Sequence, residues 1–179
     1  EVVNLSGLLH DVGKVGVPEA ILNKPGKLTK DEFDEIKKHP VHGVNILSHI
    51  ESPMFTAIIP GVRHHHEKWD GSGYPDGLAG DEIPVSGRLM ALADVFDALM
   101  CRRVYKKAMP LEQAIGIITA GRAQHFDPDV VIGNQRKWSG ISSHLSWRRC
   151  FRQIVIRRRF IRSHESEESP NDGDDEQQG

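Results

Sequence analysis

The chain has 179 residues, 38% hydrophobic and 27% charged, with a formal net charge of −2. That length suits one domain and an appendage, the composition is that of an ordinary globular protein, and the near-neutral balance excludes a surface built to coat nucleic acid. Two cysteines, Cys101 and Cys150, exclude a disulfide framework or a thiolate zinc site and point to a reducing cytoplasm, while no apolar run approaches the roughly 18 residues of a membrane span.

The chain starts at Glu1-Val2-Val3-Asn4-Leu5, with neither an initiator Met nor a basic leader, and reads as a piece beginning inside a helix. Val2, Val3, Leu5, Leu8 and Leu9 keep helical spacing, which places His10-Asp11 near a helix C-terminus. Gly13, Gly16 and Pro18 predict a loop, and Pro25-Gly26 another. Thr29 followed by Glu32 is a capping-box pattern that starts a short helix through Phe33 and Ile36 to Lys38. Pro40 suits the first turn of the next helix, whose buried face would be Val44, Ile46 and Leu47. A further helix runs from Pro53 through Phe55, Ile58 and Ile59 towards His65. Glu67 to Pro84 is a long glycine- and proline-rich loop, and such loops in compact domains are more often functional than idle. Ser86 to Met100 is an amphipathic helix carrying Leu89, Leu92, Ala93, Phe96 and Leu99, and Pro110 to Ala120 is another, stopped by Gly121. No alternating strand pattern intervenes, so the expected fold is all-α, one domain over residues 1–131.

After Val131 the character changes. Residues 136–162 hold nine Lys or Arg and no acid, and residues 165–176 hold seven acids and no base. The arginines interleave with Trp147, Phe151, Ile154, Val155 and Phe160, a pattern open to a nucleic-acid or membrane-surface helix. The reading adopted is the plainer one, a frame-shifted or recombined end outside the catalytic core, with a disordered polar terminus from Ser163.

Ten histidines are unusual for this length, and seven of them lie between His10 and His66. His10-Asp11 is the first piece of a metal-site pattern; adjacent helical residues point about 100° apart, so both can reach one ion or Asp11 can touch two. The second piece is His64-His65-His66-Glu67, and the third is Asp94 within an apolar helical run, where a carboxylate is costly unless paired or metal-bound. Asp97 is expected to face solvent or cap a neighbour. Imidazoles and carboxylates without thiolates suit iron or manganese, and a pair of such ions activates water and neutralises a phosphoryl transition state. Lys14, Arg103 and Lys106 are nearby cations able to hold phosphate oxygens. His39 fits a helix N-cap or surface role as readily as a ligand role, His42 and His49 are read as surface residues, His64 is ambiguous, and Cys101 is a small buried hydrophobe.

His10-Asp11-x-Gly13-Lys14 together with His65-His66-Glu67-x-x-Asp70-Gly71-x-Gly73-Tyr74-Pro75 resembles the paired signature of the HD-GYP family. The similarity runs from about Leu5 to Val131 and includes Asn23 to Leu28, His39-Pro40 and His125 to Pro128. The resemblance implies an HD-type helical bundle in which His10, Asp11, His39, His65, His66 and Asp94 bind two divalent metals, with Asp11 bridging. It implies phosphate contacts from Lys14, Arg103 and Lys106, and hydrolysis of cyclic di-GMP to linear pGpG or GMP by in-line attack, with Asp11 and Lys14 as the catalytic residues. The loop of Glu67, Asp70, Gly71, Gly73, Tyr74 and Pro75 would shape the site and dock diguanylate cyclase (GGDEF-type) domains. Family domains carry helices before the His-Asp pair, some supplying a third-metal glutamate and histidine, so two metals is the number expected here. An upstream receiver or sensor domain is the family's usual arrangement. The competing readings are a phosphohydrolase for another cyclic dinucleotide, such as a cyclic GMP–AMP, and a non-catalytic module that binds nucleotide or a cyclase domain.

Overall fold

The structure, a computed structural model, describes residues 2–100 and 109–131. Arg103, Lys106, Cys101 and the whole of 132–179 lie outside the described residues, and so do the expectations that fall on them. The described residues form α-helices and short 3-10 turns with no β-strand.

Helix α1 covers Val2–Leu9 and delivers His10 and Asp11 just beyond its end, as the spacing predicts. The glycines that follow do not make an open loop: Val12–Gly16 winds into a 3-10 helix. Its reason is packing. A Cβ on Gly13 would stand 1.9 Å from the His39 carbonyl oxygen and 2.3 Å from the Gly43 nitrogen, so the 3-10 turn lies directly on α4 through bare backbone. The four-residue helix α2, Glu19–Leu22, is too short to leave a periodic signal, and the sequence reading has nothing there.

Helix α3 covers Lys30–Ile36, and both hydrogen bonds of its capping box form, Glu32 N–H to Thr29 Oγ1 at 3.2 Å and Thr29 N–H to Glu32 Oε2 at 2.7 Å. Helix α4, His39–Leu47, has Pro40 in its first turn, but its buried face is His39, Pro40, Gly43 and Leu47. Ile46 is exposed and Val44 half-buried, because the close approach of the 3-10 turn to Gly43 rotates that face inward. Helix α5 covers Pro53–His64, α6 covers Val85–Met100 and α7 covers Leu111–Ala120, ending at Gly121.

Helix α5 packs on α1, α4 and α6, α1 also meets α6, and α7 packs on α6. Two apolar clusters result. Leu47, Ile58 and Val62, with Val2, Leu5, Leu9, Val12 and Phe55 against them, join α1, α4 and α5. Leu92, Phe96, Ala114, Ile118, Phe126 and Val131 join α6, α7 and the chain beyond. Burial of each large aliphatic contributes about 1.5–3 kcal/mol, enough to fix the helix ends from which the polar residues project.

Asp97 does not face solvent: it is buried, whereas the Asp94 carboxylate is partly open at 22% exposure. The reversal follows from α6 being packed by α1, α5 and α7, so that more than one stripe is covered. Half-buried His42 also departs from a surface role, with its Nδ1 enclosed beside Gly16; His49 is exposed as expected.

Candidate metal centre

Four side chains from three places in the chain converge: ligand atoms of Asp11, His39, His65 and His66 lie within 4.8 Å of one another. Asp11 follows α1, His39 opens α4, and His65 and His66 follow α5. His39 Nε2 stands 3.2 Å from His65 Nε2. His10 and Asp94 adjoin this group through Asp11, with His10 Nε2 3.5 Å from Asp11 Oδ2 and 3.6 Å from Asp94 Oδ1. The other Asp11 oxygen, Oδ1, is 3.5 Å from His39 Nε2.

The histidines are oriented by one recurring device. His10 Nδ1 donates to the Gly7 carbonyl at 2.9 Å, His39 Nδ1 to that of Ile36 at 2.8 Å, and His65 Nδ1 to that of Val62 at 2.7 Å. Gly7, Ile36 and Val62 sit in the last turns of α1, α3 and α5, where carbonyls lack a partner within their own helix. At His39 and His65 that carbonyl accepts the Nδ1–H of the ring and leaves Nε2 as a lone pair facing the cluster. A hydrogen bond between the facing Nε2 atoms of His39 and His65 would need a proton on one of them, which this tautomer denies. A shared cation satisfies both, and an inward set of imidazole nitrogens and one carboxylate is the donor chemistry of a divalent metal. The residues present therefore fit a metal.

The local electrostatics suit the same use. Burial depresses the His65 imidazole well below its ordinary range, burial likewise lowers His39, and it brings His66 to about 4, so these rings are neutral near pH 7. Burial by itself raises the Asp11 carboxyl, but His10 and Lys14 outweigh it and hold the group at about 2. Lys14 Nζ lies 2.8 Å from Asp11 Oδ2, with its side chain 41% exposed at the rim.

The loop after the histidines is held in detail. Glu67, 1% exposed, accepts through Oε1 from the Asp76 and Gly77 backbone N–H groups at 2.7 and 3.1 Å. Arg63 forks onto both Asp76 oxygens at 2.7 Å, and His64 Nε2 meets Asp76 Oδ2 at 3.0 Å, which settles His64 as a loop anchor rather than part of the cluster. Gly71 and Gly77 take positive φ angles of 80° and 68°, and a Cβ on Gly73 would lie 2.4 Å from the Lys68 nitrogen. The Tyr74-Pro75 peptide is cis. Tyr74 N–H donates to the His66 carbonyl at 3.2 Å, and its ring stacks on the His66 ring with centroids 4.8 Å apart. Further out, Trp69 and Asp70 N–H groups donate to the carbonyls of His125 and Gln124, and Arg88 joins Asp81 to Asp127. Asp70 itself turns its carboxylate onto the Ser72 N–H.

Sequence reasoning missed the three helix-end carbonyls, the Arg63–Asp76–His64 anchor and the Arg88 tie. Backbone acceptors leave no residue signature. A histidine three residues after a residue in a helix's last turn is the one pattern that could have found the first group.

Residues 1–130 match the HD domain. Over 129 residues the chain is 57% identical to a probable cyclic di-GMP phosphodiesterase of Vibrio cholerae, covering 69% of this chain and 29% of that protein. Over 123 residues it is 48% identical to 3'3'-cGAMP-specific phosphodiesterase 2 of the same organism, covering 69% of this chain and 24% of that one. Thus the chain spans less than a third of the length of either relative. Among solved structures, a cyclic GMP-AMP specific phosphodiesterase of V. cholerae matches with a TM-score of 0.55 at 19% identity, over 86% of this chain and 42% of that one, which supports the helical fold. With the histidine-aspartate pair and the glycine-tyrosine-proline loop both in place on that fold, the chain belongs to the HD domain family, in its HD-GYP form.

Proposed function

We propose that this site hydrolyses a phosphodiester bond of cyclic di-GMP, giving linear pGpG, with two divalent transition-metal ions as its resident cofactor. The observation that carries the reading is the division of Asp11: Oδ1 faces His39, a member of the His39–His65–His66 cluster, while Oδ2 faces His10, which in turn faces Asp94. One carboxylate shared between two donor groups is the arrangement a bridging ligand needs. Nitrogen and oxygen donors without sulfur favour iron or manganese. Such ions supply a nucleophile at neutral pH and offset charge on the phosphoryl group.

The chain's own residues do the rest. Buried, neutral imidazoles keep their Nε2 lone pairs available without competition from protons. Asp11 remains ionised, and Lys14 at the rim brings a positive charge to where a phosphate oxygen would arrive. The partial exposure of Asp94 and Lys14 suits a substrate that enters from solvent. Cyclic di-GMP is favoured as substrate by the relative at 57% identity; the relative at 48% makes 3'3'-cGAMP the competing dinucleotide. An intact donor set argues against a purely binding module.

The test is turnover by the full chain loaded anaerobically with Fe(II) or Mn(II) and offered each dinucleotide separately, with products separated by chromatography. Cyclic di-GMP consumed to pGpG is the expected result. Preferential loss of cyclic GMP–AMP would reassign the substrate, and metal loading with no turnover of either would make the site a binding module.

A further inference from the structure

Three of the clustered or adjoining histidines are oriented by a helix-end carbonyl, and the fourth is not. Among the described residues no hydrogen bond holds the His66 ring; beside the cluster rings of His65 and His39, 4.1 and 5.0 Å away, it meets the face of Tyr74, 4.8 Å away and inclined by 28°. Tyr74 reaches that place because the chain around it is tied at three points. Its own N–H donates to the His66 carbonyl, and Asp76 and Gly77, two and three residues on, give their N–H groups to a single oxygen of Glu67. The Asp76 side chain is gripped at the same point by Arg63 and His64.

We infer that Glu67 is a positioning residue for the metal centre: its buried carboxylate folds the glycine-tyrosine-proline loop back so that Tyr74 clamps the His66 imidazole in its ligating orientation. The inference rests on the reading of Asp11, His39, His65 and His66 as metal ligands. A buried carboxylate with Oε2 lacking a hydrogen-bond partner is costly, and a fold retains that cost where the group does a job that an apolar residue cannot. Here the job belongs to Oε1, which accepts from two successive backbone N–H groups of the loop and so ties the loop to the chain just past α5. The aromatic face then replaces, for His66, the outer hydrogen bond that ordinarily fixes a ligating ring. Gly73 completes the argument, since any side chain there would strike the Glu67 and Lys68 backbone and open the fold-back.

Three substitutions separate this role from others. Glu67→Gln keeps an oxygen at Oε1 and loses the charge; Tyr74→Phe keeps the stacking face and loses the hydroxyl. Both should retain wild-type affinity for Co(II), used as a spectroscopic probe of the full chain, within about threefold. Tyr74→Leu keeps apolar bulk without an aromatic face and should weaken Co(II) binding about 10–100-fold, the usual loss when a ligand's support is removed. Its visible absorption band should change shape, a signature that a merely destabilised fold does not produce, with far-UV circular dichroism confirming unchanged helix content. Wild-type affinity and spectrum in Tyr74→Leu would overturn the inference, as would a Glu67→Gln defect as large as that of Tyr74→Leu, which would assign the carboxylate charge a direct role. Failure of the unaltered chain to bind Co(II) would instead remove the metal reading on which all of this stands.

Discussion

Asp11 carries more of the site than any other side chain, because both of its oxygens are committed, one towards His39 and one towards His10 and Lys14. Asp11→Asn replaces one of those oxygens with a donor nitrogen, and metal content should fall with an affinity loss of at least about tenfold. Lys14→Ala should leave metal content in place and raise the barrier to phosphodiester cleavage by about 2–4 kcal/mol. Metal analysis and single-turnover rates measured side by side distinguish the two; normal metal content and activity in Asp11→Asn would refute the bridging role. The histidines set a pH dependence of their own. His66 lies at about 4 in the fold against a reference of 6.5, so between those values an unfolded chain takes up a proton that the folded one refuses. Stability of chelator-treated protein should therefore fall as pH drops through that window. Its full extent is on the order of 3 kcal/mol from His66, at about 1.4 kcal/mol per pH unit over a shift of roughly 2.5 units. His39 and His65, depressed by the same burial, act in the same direction. Denaturant titrations at pH 7 and pH 5 that give equal stabilities would contradict this assignment of the buried rings.

At the scale of elements, the site depends on how closely the 3-10 turn after α1 approaches α4. Gly13→Ala puts a methyl group within 1.9 Å of the His39 carbonyl and 2.3 Å of the Gly43 nitrogen, and backbone atoms cannot yield cheaply. His39 should move away from Asp11, and Co(II) affinity should fall more than helix content does. Gly116→Ala is the matching control: nothing lies within 4 Å of the added carbon, and alanine in the interior of α7 should stabilise the chain by up to about 1 kcal/mol without touching the metal site. Equal metal affinity in the two variants would show that the approach of turn and helix is irrelevant. This contact also marks where the sequence was readable and where it was not. Helices α1, α3, α5, α6 and α7 announce themselves through apolar spacing, Thr29 with Glu32, and the proline and glycine at their ends. The motif residues that resemble the family's pattern also come together in space, at least for Asp11, His39, His65 and His66. The face of α4 and the exposures of Asp94 and Asp97 escaped, because they depend on which neighbours a helix acquires, and that is a tertiary fact with no local period.

For the molecule as a whole, the described core runs to Val131, the last described residue. Val131 is fully buried against Ile118 and Phe126, and residues 1–130 are the part that matches the HD domain. We therefore expect a chain ending at residue 131 to keep the Co(II) affinity and thermal midpoint of the full chain; loss of bound metal on that deletion would make residues 132–179 part of the centre. The three carbonyl locks have a wider consequence. Each sits in the last turn of a helix, and last turns open first in ordinary thermal breathing. When the end of α1, α3 or α5 opens, its histidine loses the partner that fixed its tautomer and can spin, so the donor set disperses while the rest of the bundle stays folded. A cation held across all three ends would quiet that breathing at once, in helices that are separate along the chain. Deuterium uptake at those turns is thus a direct gauge of site assembly, readable with no substrate present.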